Sequence, residues 1–190
     1  MALGTVLDPS ARRVDDIAHP GPPLGPLHGK TIGFRVDIMW RSWDWISALW
    51  AAELEAAGAT VRFWRAGGRT GEEGARMAEG LKEFLGSIDA AIVGLGNCGS
   101  CTGWTIHDAL AAAATDIPTI AIVTQNFDDL GHNLARRGGR SGLRIHVLPH
   151  PLNERAREEV EQVAREHYPR MLEAMDAAAG AAVSAGAAAA

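Results

Sequence analysis

The segment "GLGNCGSCTGW" (94–104) carries both cysteines of the chain, Cys98 and Cys101, two residues apart. Such a pair has three readings. It can be inert and buried, it can ligate a metal, or it can act as a nucleophile with a resolving partner. Inert cysteines have no need of a glycine-rich pair. A structural zinc site takes four ligands, and C-x-x-C supplies two. His107, His150 and Asp37 are the conceivable additions, but their spacing matches no familiar zinc pattern, so no metal is assigned. Thiol chemistry is the favoured reading: one sulfur attacks as thiolate and the other resolves the adduct.

Other residue types point to the same chemistry. His150 stands between Pro149 and Pro151 in "LPHPL", and an imidazole is a natural acid or base near neutral pH. Asp37 and Arg41 follow an apolar run and suit a polar substrate group. The stretch "MWRSWDWISALW" (39–50) is rich in Trp. Trp40 and Trp43 are candidates to line a pocket for an aromatic or heterocyclic substrate. Trp43, Ile46, Trp50 and Leu54 also form a stripe at helical spacing, which assigns Trp50 to the core. Asn97, Ser100 and Thr102 flank the thiols, as donors or helix caps. Gln125 and Asn126 follow another strand and are expected to face the pocket. His107 is expected on a helix face behind it.

These residues need elements to hold them. "KTIGFRV" (30–36), "TVRFWRA" (60–66), "DAAIVGLG" (89–96), "PTIAIVT" (118–124) and "LRIHVLP" (143–149) read as strands. The segments 43–58, 72–87, 104–115 and 127–138 read as helices between them, with a closing helix interrupted near Pro169. This alternation predicts one α/β domain over 29–176. Its layout is three layers, a doubly wound parallel five-stranded sheet in the flavodoxin-like order 2-1-3-4-5. Ligands in such sheets bind beyond the carboxyl ends of the strands. That rule gathers Asp37, Asn97, both cysteines, Gln125, Asn126 and His150 at one edge. A cysteine just before a helix N-terminus has its thiolate favoured by free N–H groups and the helix dipole.

Residues 1–28, with "HPGPPLGPLHG", are expected to be an extended arm over the surface or onto a second subunit, homo- or hetero-oligomeric. Residues 177–190 are an Ala-rich tail. The net charge of −5 argues against a nucleic-acid surface. There is no basic-then-apolar leader and no apolar run of membrane length, so a cytoplasmic location and no membrane partner are expected. Thiols there are kept reduced, which makes a purely structural disulfide a poor explanation for a lone pair.

The motifs "GLGNCGSCTGWTIHDAL", "IPTIAIVTQNF" and "LRIHVLPHPL", with "VLDPSARR" and "LHGKTIGF" at the start, resemble the UGSC family of proteins and selenoproteins over about Val6 to Met175. Selenoprotein members of that family carry selenocysteine where this chain has Cys98. More distantly the pattern is similar to the C-terminal part of protein B of glycine, sarcosine and betaine reductases. That similarity implies attack on a substrate carbon, with Cys98 as nucleophile, Cys101 as resolving thiol and His150 at the site. The expected activity is reductive cleavage of a carbon–heteroatom bond, or a related sulfur-transfer or lyase step, on a small molecule. An external thiol or dithiol is the reductant and no bound cofactor is expected. The reading from another class is a non-catalytic ligand- or metal-binding subunit.

Overall fold

The computed structural model describes residues 15–176. Five strands, β1 (Thr31–Val36), β2 (Thr60–Arg65), β3 (Ala90–Gly96), β4 (Thr119–Thr124) and β5 (Arg144–Leu148), form one sheet. All pairs are parallel and the order is β2-β1-β3-β4-β5, as expected. β3 and β4 are buried at every position because helices cover both faces. On one face lie α1 (Arg41–Ala56) and α5 (Arg157–Ala174), whose Ile46, Trp50, Leu54, Val160 and Val163 join one core. On the other lie α2 (Gly71–Leu85), α3 (Gly99–Ala113) and α4 (Asp128–Arg137), with Leu81, Leu85, Ile106, Ala109 and Ala135 in a second core. Trp50 is fully buried, and its indole N–H donates to the Ala164 carbonyl at 2.8 Å, tying α1 to α5.

Two expectations are corrected. α3 begins at Gly99, not Trp104, so the thiols belong to the helix terminus itself. α5 runs unbroken through Pro169, which lies on an exposed face where water can satisfy the carbonyl that lost its partner. The described part of the N-terminal arm, 15–28, carries no helix or strand and runs over its own domain, one of the two courses expected of it. Leu24 and Leu27 are buried in the core, and the N–H groups of Leu24 and Gly25 donate to Met175 and Asp176. Residues 1–14 and the 177–190 tail lie outside the described residues.

His146 on β5 and His167 on α5 meet at 3.0 Å, Nε2 to Nδ1, beside Trp50. Burial, then the neighbouring His167 and Arg170 charges, push His146 down to about 4. Burial and Arg170 also lower His167, against Glu166. Both groups bind protons more weakly folded than unfolded. The unfolded chain therefore takes up more protons between about pH 6.5 and 4, and stability falls as pH drops through that window. His146 alone accounts for no more than about 3 kcal/mol. Denaturant midpoints measured at pH 7.5 and 4.5 are expected to differ more in the native chain than in His146→Leu.

Candidate functional site

The chain leaves β3 at Asn97, and Cys98 takes an extended conformation (φ −152°, ψ 170°) as the N-cap of α3. Its sulfur does what a capping oxygen usually does. The Cys101 N–H donates to Cys98 Sγ at 3.1 Å. The Thr102 N–H and hydroxyl both donate to the Cys98 carbonyl, at 2.9 and 2.7 Å. Ser100 Oγ is 3.5 Å from Cys98 Sγ. Cys98 and Cys101 are joined as a disulfide, with Cα atoms 5.2 Å apart. Helical geometry leaves the amides of Gly99 and Ser100 without an intrahelical acceptor. The sulfurs therefore sit at the positive end of α3.

Beside them is a pocket of about 230 Å³, lined by Ser100, Cys101 and Trp104 of α3, by Asp37, Ile38 and Met39 after β1, and by Ala66–Arg69 after β2. Arg35 closes it below. α1 and α3 cover opposite faces of the sheet, so the loops after β1 and β3 diverge and open a crevice at the topological switch point.

An ionic cluster supports this crevice. Asp108 of α3 is fully buried. It accepts from Arg35 Nε at 2.8 Å, from Arg69 Nη1 at 3.1 Å and from Arg69 Nη2, and lies 3.2 Å from His107 Nδ1. Burial raises the Asp108 pKa. Hydrogen bonds from His107 and Arg69, with the Arg35 and Arg69 charges, outweigh it and hold the carboxyl below its ordinary value. Burial lowers the Arg35 pKa against the pull of Asp108. Arg35 also donates to the Gly94 carbonyl at 2.7 Å. Arg69 lies over the Trp104 ring at 4.9 Å and near Trp64 at 5.8 Å.

The expected site residues divide. Cys101, Ser100 and Asp37 line the pocket. Asp37 spends its carboxylate on the chain: Oδ1 accepts from Met39 and Trp40 N–H, at 2.8 and 3.1 Å, and Oδ2 faces Leu95 N–H and Arg35. His150 stands on the β4–β5 side, outside the pocket. Its Nδ1 is 3.1 Å from Thr124 Oγ1, which is 3.1 Å from Asn97 Oδ1, so it reaches the cysteine turn through two residues. Thr102 is buried and acts as a cap. Gln125 and Asn126 form an exposed 3-10 turn and do not line the pocket. Arg41 is exposed over Trp45, and half-buried Trp40 packs against the core. Trp43 is corrected from pocket to core. It is 1% exposed, packs edge-on to Trp50, and donates its indole N–H to the Arg35 carbonyl at 3.3 Å. The stripe at helical spacing claims it.

Arg35, Asp108, Arg69, Trp104, Ile38 and Met39 were not expected at the site. Two of them left a sequence signal. Arg35 interrupts an apolar strand, and Asp108 falls on the same helical face as Thr105, Ala109 and Ala112. An opposite-charge pair at buried positions of a strand and its covering helix implies a buried ion pair.

Fold and site together define a flavodoxin-like α/β protein with a C-x-x-C pair capping the helix after its third strand. A model of the UGSC family matches residues 5–177, and the chain belongs to that family. No curated protein matches it. Among the described residues no helix is long and apolar enough to cross a membrane, and no group of three or more His, Cys, Asp or Glu is placed to hold a metal ion.

Proposed function

We propose that the protein is a thiol-dependent enzyme whose Cys98–Cys101 pair cycles between dithiol and disulfide while reducing a small molecule. The observation that carries this reading is the Cys101 N–H aimed at Cys98 Sγ, at a helix N-terminus and at the wall of a pocket. In the reduced protein that donor meets a thiolate and stabilises it. Cys98 attacks the carbon of a carbon–heteroatom bond, forming a thioether and expelling the heteroatom group. The Cys101 thiolate attacks the Cys98 sulfur, forming the disulfide and releasing the carbon fragment, which takes a proton. The two electrons come from the dithiol, and an external thiol restores it. His150, held by Thr124 on the β4–β5 side, is the acid expected to supply that proton, carried to the carbon fragment by water. Related sulfur-transfer or lyase steps use the same first attack. A cytoplasmic setting, with its reducing thiol pool, fits the cycle.

The test is a trap. Reduced Cys101→Ser protein, incubated with small electrophiles bearing a carbon–heteroatom leaving group, is expected to accumulate one thioether per chain at Cys98, read by intact and peptide mass. Native protein given an electrophile that it turns over is expected to gain no adduct and to lose two thiols, whereas plain alkylating agents such as iodoacetamide leave a stable thioether on either protein. Equal, slow labelling of both proteins would reject the cycle.

A further inference from the structure

We infer that the pocket beside Cys101 takes an organic carboxylate with an apolar body: the carboxylate toward Arg69 and the first turn of α3, the body against Ile38, Met39 and Trp104. The inference rests on reading this pocket as the substrate site of the thiol pair.

The hydrogen-bonding inventory sets the polar end. Both carboxylates at the floor are fully engaged. Asp37 serves three backbone N–H groups and Arg35, and Asp108 serves Arg35, Arg69 and His107. Glu73, beyond the Gly67–Gly68 wall, accepts from Gly68 N–H at 2.8 Å. Arg65 and Asp44 pair with each other at 2.8 Å. The groups left to a ligand are donors. Asp108 takes Arg69 through its two terminal nitrogens, leaving Nε–H and the outer N–H bonds of that guanidinium. The Ser100 amide of the helix terminus, at the pocket wall, adds one more. A ligand must therefore present acceptors, and a carboxylate suits a guanidinium edge beside a helix N-terminus.

The apolar end is marked by exposure. Among the described residues six large hydrophobic side chains are exposed, and three of them, Ile38, Met39 and Trp104, border this one pocket. Ile38 and Met39 are 69% and 60% exposed. Apolar side chains gathered at a crevice mouth favour an apolar guest. Arg69, clamped by Asp108 and stacked on Trp104, joins the two ends.

Iodoacetate and iodoacetamide test the charge. They are nearly isosteric, and each loses iodide as sulfur bonds to its carbon. With reduced native protein the iodoacetate-to-iodoacetamide rate ratio at the cysteines is expected to exceed that of glutathione by about tenfold, the scale of one charge-assisted hydrogen bond. Arg69→Met is expected to return the ratio to that of glutathione, and Arg69→Lys to keep part of it. Phenylacetate is expected to slow iodoacetamide at concentrations where acetate and 2-phenylethanol do not. A ratio equal to that of glutathione, or one untouched by Arg69→Met, overturns the inference. Equal protection by acetate overturns its apolar half. If the thiols react with neither reagent, the enzymatic reading fails. Calorimetric binding of phenylacetate to native and Arg69→Met protein then decides this inference: binding lost in the variant supports it, and no binding or equal binding overturns it.

Discussion

Cys98→Ser is expected to abolish turnover, a loss of at least about 10³-fold for an enzyme deprived of its nucleophile, with the fold intact. Serine is a good N-cap, so the helix terminus keeps a donor–acceptor pair with the Cys101 N–H. The thiolate argument sets the direction of the reactivity change. A free thiol of pKa about 8.5 is about 1% ionised at pH 6.5. The helix N-terminus and the Cys101 N–H favour the thiolate of Cys98. A larger ionised fraction outweighs the lower intrinsic nucleophilicity that a Brønsted slope of about 0.4–0.5 brings, so labelling at pH 6.5 is expected to outpace that of a free thiol, with a midpoint below about 8.5. Peptide mass spectrometry of iodoacetamide labelling across pH, in reduced native, Cys98→Ser and Cys101→Ser proteins, reads both quantities. Fast labelling of Cys101 in Cys98→Ser would exchange the two roles. Midpoints at the free-thiol value in all three proteins would mean inert sulfurs.

The architecture was legible in the sequence because strand and helix patterns here do not compete. β3 and β4 are unbroken apolar runs, and the helices between them keep a 3.6-residue apolar stripe. The thiol position was legible for the same reason, since a strand ending at Asn97 must deliver Cys98 to the binding edge. The start of α3 was not, because "GSCTG" reads as a loop by composition. The helix begins there because Cys98 and Thr102 supply the capping bonds that glycine cannot. Trp43 failed as a pocket residue because two roles share one signal: a large aromatic after a strand suits a ligand or a core. The burial stripe wins, as area removed from water is worth about 25 cal/mol per Å² at any such position. Arg69 and Trp104 were invisible for a different reason. They lie 35 residues apart in the chain, and only the β2–β1–β3 strand order makes them neighbours.

Asp108→Ala is expected to cost about 3–5 kcal/mol, the penalty for removing one partner of a buried ion pair. Arg35 is 4% exposed. Without Asp108 its nearest carboxylate is Asp37 at 3.5 Å, already shared among three backbone donors. Its Nε–H would face the space that Asp108 leaves, between β1 and α3. Arg69 would lose its clamp, and the Trp104 side of the pocket its fixed wall. For a chain of this size the loss corresponds to about 6–20 °C in melting temperature. A compensated variant separates burial of an orphaned charge from lost packing. Arg35→Met with Asp108→Leu removes that pair and is expected to recover part of the stability, because apolar replacements of a buried pair are often neutral or stabilising, while Arg69, 11% exposed, still lacks its partner. It is not expected to recover substrate selection, since Arg69 remains unclamped. If the double variant were as stable as the native chain and also kept the iodoacetate preference, the cluster would be a structural brace with no part in shaping the pocket. Stability recovered without that preference would show that the buried ions are retained for the site they orient, rather than for the fold they cross.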